Sequence, residues 1–374
     1  MKLVASISQG LEQEGAKELI ELGAQSVKAS RKHILFEADM ACLYRIHLRA
    51  RLSFRFLREI CRFPCHGPHE LYTGIQRSID WENWLNPNKS FRVDVTGFCE
   101  GLSHSHFTAL QVKNAIIDLQ RERWGLRSSI ELNNPDICFH VHLSNSQAIF
   151  SVDGSHSSLH KRGYKPAVGV APIKETLAAG LMRMTEWDGR KHLVDPLCGS
   201  GTFLIEAVSM LLGIASGTDR HFLFNNWPDF DPSNWDKELQ LARRIKTLNK
   251  SLPKIIGCEV DNIIAKSTRD NVRKAGLENY IEIINCPFQK FQLPSGSGLL
   301  ICNPPYGKRL GDQHELPNLY KQLGEYCKKQ ASGWDLWLLN GNPKLSKHIG
   351  MKASRRFQVN NGSLDCRWLN YKIK

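Results

Sequence analysis

Apolar and polar residues alternate from Lys2 to Ser8, which predicts a strand. Apolar positions at helical spacing follow from Leu11 to Leu22 and stop at Gly23, a helix end. Val27 to Glu37 reads as two short strands joined by a turn, and Met40 to Leu57 is helical again. This strand-helix-strand-strand-helix order predicts part of a small α+β sandwich. A second α+β unit follows, with a strand over Ser90 to Phe98 and an amphipathic helix from Phe107 to Trp124 that ends at Gly125. Ile137 to Leu143 and Gln147 to Asp153 complete it as a hairpin. Gly154 to Gly169, rich in Gly, Ser, His and Lys, reads as a linker.

From Pro172 onward, helices alternate with short continuous apolar strands. These are His192 to Asp195, Lys254 to Glu259, Gly298 to Asn303 and Trp334 to Leu339. Such strands between helices predict a parallel, doubly wound sheet, so the fold class is α/β with two N-terminal α+β units. A length of 374 residues suits two or three domains. No run of eighteen apolar residues occurs and the N-terminus has no signal-peptide pattern, so a soluble cytoplasmic protein is expected. The eleven cysteines form no regular framework, which fits a reducing compartment. Cys61, Cys65, His66 and His69 are the one metal-like cluster; they lack a second ligand pair at zinc spacing, and no metal is expected.

Charge changes the picture. The net charge is +13 and the pI about 9.2, which suits an acidic partner, most simply nucleic acid. Arg45, Arg49, Arg51, Arg55, Arg58 and Arg62 crowd one stretch. Arg51, Arg55, Arg58 and Arg62 are spaced by four, three and four, which on a helix places them on one face. Leu48, Leu52 and Phe56 line a different stripe. Such arginines suit phosphates, although a solvated helix face has the same pattern.

Three strand ends carry the candidate chemistry. The strand ending at Asp195 leads into Pro196-Leu197-Cys198-Gly199-Ser200-Gly201-Thr202 and a helix. The glycines permit a tight turn and close backbone approach by a ligand. A dinucleotide fingerprint needs a third glycine where Leu204 stands, and no Walker pattern occurs. Asp195 disfavours a pyrophosphate and suits a ligand carrying ammonium and sulfonium groups, such as S-adenosylmethionine. The next strand ends in Cys258-Glu259-Val260-Asp261, where Glu259 can accept both ribose hydroxyls. Asp261 reads as a helix cap. The third carries Asn303-Pro304-Pro305-Tyr306. The prolines stiffen this segment, the Asn303 oxygen and Pro304 carbonyl are acceptors for an amine, and Tyr306 offers a face to a base.

With these residues in view, the chain resembles the THUMP-domain RNA guanine-N2 methyltransferases, most nearly the bacterial single-catalytic-domain form acting on 23S ribosomal RNA. The likeness rests on Asp195 to Glu206, on Asn303-Pro304-Pro305-Tyr306 with Gly307 to Gly311 beyond it, and on Leu159 to Tyr164. Leu102 to Ser105 and Val112 to Ile116 resemble the THUMP core, and Pro172 to Ala178 resembles the helix bordering the cofactor. The resemblance implies a ferredoxin-like domain over 1–64, a THUMP RNA-binding domain over 65–155, a linker over 156–171 and a Rossmann-like methyltransferase domain over 172–374. A second catalytic domain, fused in some relatives, is not expected. The implied cofactor is S-adenosylmethionine, held by Asp195, Cys198, Gly199, Ser200, Gly201, Thr202, Glu259 and Lys174. Related enzymes often carry an aspartate for the adenine amine where Asn285 stands here, and Asn285 can accept that bond. Phe288 reads as core. The catalytic set is Asn303, Pro304, Pro305 and Tyr306; Arg51, Arg55, Arg58, Arg62, Lys161 and Arg162 are expected to meet RNA, and His104 and His106 to be structural. The rival readings are a transfer RNA guanine methyltransferase, a DNA adenine-N6 methyltransferase, and a non-catalytic RNA-binding assembly factor.

Overall fold

The computed structural model describes residues 1–165, 173–244, 253–306 and 315–374. Residues 166–171 of the expected linker, Pro172, and Gly307 to Gly311 of the third motif lie outside the described residues. The first unit runs β1 (Lys2–Ile7), α1 (Glu12–Glu21), β2 (Gln25–Ser30), β3 (His33–Glu37), α2 (Met40–Arg49) and β4 (Ser53–Pro64). The second runs α3 (Pro68–Arg77), α4 (Trp81–Trp84), β5 (Phe91–Gly97), α5 (Ser105–Trp124), β6 (Ile137–Ser144) and β7 (Gln147–Asp153). As expected, α5 ends at Gly125, which takes the left-handed conformation that L side chains disfavour.

One expectation fails here. The helix read from Met40 to Leu57 stops at Arg49, Ala50 is extended, and the chain re-enters as a long strand. Strand β4 pairs with β1 along one edge and β7 along the other, so the two units share one seven-stranded sheet, β2-β3-β1-β4-β7-β6-β5. These long-range ladders override a local spacing compatible with a helix. Alternation along β4 sends Arg55 and Arg58 to opposite faces, so no arginine stripe exists.

The second half runs α6 (Glu175–Met184), β8 (His192–Asp195), α7 (Thr202–Leu211), α8 (Pro232–Ala242), β9 (Ile255–Glu259), α9 (Asn262–Lys274), β10 (Glu282–Asn285), β11 (Gly298–Cys302), α10 (Leu316–Gln330), β12 (Asp335–Asn340), α11 (Pro343–Ser346), β13 (Arg355–Asn361) and β14 (Leu364–Lys372). Its sheet order is β10-β9-β8-β11-β12-β14-β13, parallel through β12 and antiparallel beyond. The chain winds outward from β8 through β9 to β10 and then returns to β11 on the other side of β8. That reversal opens a crevice at the carboxyl ends of β8 and β11, where α/β sheets bind ligands.

The two halves share a core. Between α7 and β9 the chain folds back onto α2. Phe222 and Phe224 pack edge-on to the buried His47 ring, and Tyr44 meets Trp235. Arg45 forms a two-pronged bond to Glu238 at 3.1 and 2.6 Å. Gly217 donates to the Leu48 carbonyl, and a Cβ there would lie 2.5 Å from the His47 oxygen, so only glycine permits this approach.

Candidate active site

The site grows from three neighbouring strand ends. Asp195, at the end of β8, is 2% exposed and accepts from the Leu197 amide at 3.1 Å. Burial, aided by the nearby Glu259 charge, pushes its carboxyl up to about 8. The glycine loop then turns through Gly199 (φ 49°) and Gly201 (φ 73°) into α7. Helix α9 fixes the loop from the next strand: Thr268 donates its hydroxyl to the Gly199 carbonyl, and the Asn271 amide donates to Ser200 at 3.2 Å. The Ser200 and Thr202 hydroxyls bond each other at 2.9 Å. Cys198 is buried, and its amide donates to Cys258 at 3.0 Å. A Cβ on Gly199 would meet nothing within 4 Å, so this stretch of backbone is open to a ligand.

Glu259 closes the second side. Its Oε2 accepts from Gly199 at 3.2 Å and its Oε1 from Asp261 at 2.9 Å, which ties the end of β9 to the glycine loop. Asp261 caps α9 as expected, accepting from Ile263 and Ile264. Asn285, at the end of β10, donates its amide to the Glu259 and Val260 carbonyls at 2.8 and 3.1 Å. That orientation leaves its oxygen as an acceptor. Phe288 is core, buried and edge-on to Tyr326. Val260 and Ile263 are 66% and 81% exposed, an apolar surface beside Glu259 that sequence reading passed over.

Asn303 follows β11. Its Oδ1 is buried and has no hydrogen-bond partner among the described residues. An unsatisfied buried acceptor costs about 1–3 kcal/mol, so it marks a place where a donor belongs. Tyr306 is half-buried. Its hydroxyl accepts from the Asn361 amide at 2.8 Å, and Gly341 lies so close that a Cβ there would come within 2.5 Å of the ring. Burial pushes the phenol up, so it stays neutral. Neither Gly341 nor Asn361 was anticipated. Asn361-Gly362 between two alternating runs carried the hairpin signal for β13 and β14.

The expected phosphate-binding arginines have other partners. Arg51 is 6% exposed and pairs with Glu206 at 2.8 Å. Arg55 pairs with the buried Asp153. Arg58 packs against both the Trp84 and Trp227 rings, 5.3 and 5.4 Å from their centroids, and pairs with Asp229 at 2.7 Å. Arg62 pairs with Glu59 at 2.7 Å. Arg162 donates to the Leu159 and Arg51 carbonyls, each at 2.6 Å. Lys161 alone of the set is exposed and without a carboxylate partner among the described residues. Lys174 stands at the N-terminus of α6 with its ammonium 5.1 Å from the Phe54 ring. His104 and His106 are exposed. Among the described residues no cluster suited to a metal occurs, and no helix is long and apolar enough to cross a membrane.

Three family descriptions match the chain: an RlmL ferredoxin-like domain over 2–57, a THUMP domain over 69–153, and an RMKL-like methyltransferase domain over 162–370. The chain is 41% identical over 370 residues to "Putative RNA methyltransferase slr0064" of Synechocystis sp., covering 99% of this chain and 96% of that protein. It is 38% identical to "Ribosomal RNA large subunit methyltransferase K/L" of Syntrophotalea carbinolica, covering 100% of this chain and 54% of that protein. The chain thus spans about half the length of this K/L relative. Among solved structures, a crystal structure described as a "putative methyltransferase complexed with SAH" superposes with a TM-score of 0.89 at 29% identity, covering 100% of this chain and 98% of that one. The chain belongs to the RMKL-like methyltransferase family, with a ferredoxin-like and a THUMP domain preceding its catalytic domain.

Proposed function

We propose that the protein transfers a methyl group from S-adenosylmethionine to the exocyclic N2 amine of a guanine in large-subunit, 23S ribosomal RNA. The observation that carries this reading is the buried Oδ1 of Asn303, unpartnered among the described residues, at the crevice between β8 and β11. The residues present suit the donor. The open backbone at Gly199 admits close approach, Asp195 offers a carboxylate to a cationic methionine moiety, and Glu259 retains lone pairs for ribose hydroxyls. The Asn285 oxygen is an acceptor for the adenine amine. The bound donor would supply a methyl already activated on a sulfonium.

The chain's own residues then position the acceptor. A guanine amine is a weak nucleophile because its lone pair is delocalised into the ring. Hydrogen bonds to Asn303 Oδ1 and the Pro304 carbonyl orient that lone pair and stabilise the positive charge that develops on nitrogen. The Tyr306 ring, fixed by Asn361 and Gly341, offers a platform for a base taken out of its stack, worth about 1–3 kcal/mol. No strong base is required, since the methylated amine is acidic and loses its proton late. Pro305 keeps the segment stiff.

RNA as substrate is supported by the THUMP domain, the net charge of +13 and the names of the relatives. The exposed Lys161 is the residue assigned to phosphate. Guanine is supported by the sequence resemblance. The test is transfer of labelled methyl from S-adenosylmethionine to unmodified RNA, with the product nucleoside identified. N2-methylguanosine in a large-subunit fragment is expected. Methyladenine, or label confined to transfer RNA, would overturn the assignment.

A further inference from the structure

Two of the arginines expected at phosphates, Arg51 and Arg162, meet in a buried junction, and Glu206 is its hub. Glu206 is 1% exposed and lies on α7, four residues beyond Thr202, where the glycine loop ends. Its Oε2 accepts from Arg51 at 2.8 Å. Its Oε1 accepts from the Tyr164 hydroxyl at 3.1 Å and lies 3.7 Å from Arg162 Nε. Arg162 reaches on to the Arg51 carbonyl at 2.6 Å, and Arg51 also donates to the Ile214 carbonyl just past α7. On the far side, the buried Glu18 of α1 accepts from the Arg51 and Leu52 amides at 3.0 and 3.1 Å. One polar chain therefore runs from α1 through residues 51 and 52 to the helix that begins at the cofactor loop.

Its placement matters more than its strength. Residues 51 and 52 directly precede β4, the strand on which both N-terminal units are built. Burying charges is expensive, and apolar side chains of similar volume hold two parts together as well or better. What such a network adds is a single relative position, because its hydrogen bonds are met in one geometry only. Any displacement of β4 on binding RNA is felt at Arg51, then at Glu206, and then one turn away at the Gly199-to-Thr202 loop. We infer that Glu206 is a positioning residue that couples docking of RNA on the N-terminal half to the shape of the cofactor loop, acting through Arg51, Arg162 and Tyr164. The inference rests on the function proposed above.

The test measures S-adenosylhomocysteine affinity by calorimetry, with and without large-subunit ribosomal RNA transcribed in vitro. In the native protein the RNA tightens this binding by about fivefold or more. In Glu206→Gln the gain falls below about twofold, while affinity without RNA stays within about twofold of native. Tyr164→Phe, which removes one bond, gives an intermediate gain. Should Glu206→Gln fail to unfold cooperatively, the apolar pair R51M/E206L replaces it, and a folded protein with no gain is expected. A native-sized gain in either folded variant, or no gain in the native protein, overturns the coupling. Methyl transfer to the same RNA, run in parallel, separates the two readings: a native protein that methylates it while Glu206→Gln keeps the full gain fails only this inference.

Discussion

The arginines around β4 and the asparagine at the crevice differ in one respect. Three arginines in and beside β4 find their partners inside the protein: Arg51 in Glu206, Arg55 in Asp153, and Arg58 in Asp229 and two tryptophans. The crevice of the C-terminal half does the reverse, leaving the Asn303 oxygen buried and unpartnered among the described residues. A satisfied buried charge holds a structure in place. An unsatisfied buried acceptor at a strand-end crevice is a place for a ligand's donor. Residue type alone ranked the arginines and the asparagine together as functional; hydrogen-bond bookkeeping separates them.

The largest test of that contrast is Arg51→Ala. Breaking a buried pair leaves a charge stranded, so unfolding free energy should drop by about 3–5 kcal/mol, read as a lower urea midpoint. A variant of native stability with weakened RNA binding would return Arg51 to the phosphate ligands.

On the other side of the comparison, Asn303→Ala should fold normally and bind S-adenosylhomocysteine as the native protein does. Its turnover should fall by about 10²–10³-fold, the scale of one lost oriented hydrogen-bonding group. Near-native turnover in labelled methyl transfer would remove Asn303 from the catalytic set.

Asp195 yields a smaller effect, with a definite sign. Its folded carboxyl is raised to about 8 from an ordinary 3.8, so in the free protein it stays protonated at neutral pH. That contributes stability present below about pH 4, which is lost as pH rises through 8. Glu259 is the charged neighbour that adds to the rise. A cationic ligand against Asp195 needs the carboxylate, so binding expels a proton. Affinity for S-adenosylhomocysteine should then climb up to about tenfold per pH unit below 8 and level off above it. A flat profile, in calorimetry from pH 6 to 9, would place the cationic moiety elsewhere.

The smallest effect belongs to Lys161→Ala. One phosphate contact contributes a few-fold to RNA affinity and about one unit to the salt slope. Arg62→Ala, removing an exposed pair with Glu59, is the control and should change neither stability nor binding beyond about 1 kcal/mol.

The legible parts were those set by local chain. Asp195 and Glu259 end short apolar strands, the Gly199-to-Gly201 turn and Asn303 follow them, and a parallel sheet puts all such ends on one edge. The cap at Asp261 and the left-handed stop at Gly125 were equally local. The partners of Tyr306 were not. Gly341 reaches it because β12 lies parallel beside β11, and Asn361 because β14 returns antiparallel beside β12 and carries β13 with it. The helix that put the arginines on one face was misread for a related reason. A spacing of four, three and four fits a helix, but Ser53 to Pro64 gains two sheet edges by extending. Only the whole sheet reveals that gain.

By itself, then, the sequence determined the order of the motifs along the catalytic domain and the residue types offered to a methyl donor and to the proposed amine. Those depend on turns, caps and strand ends, whose geometry is fixed within a few residues. Tertiary structure decided which polar groups remain available. Whether an arginine meets a phosphate or a buried glutamate depends on what the fold places beside it, and Glu206 stands 155 residues from Arg51.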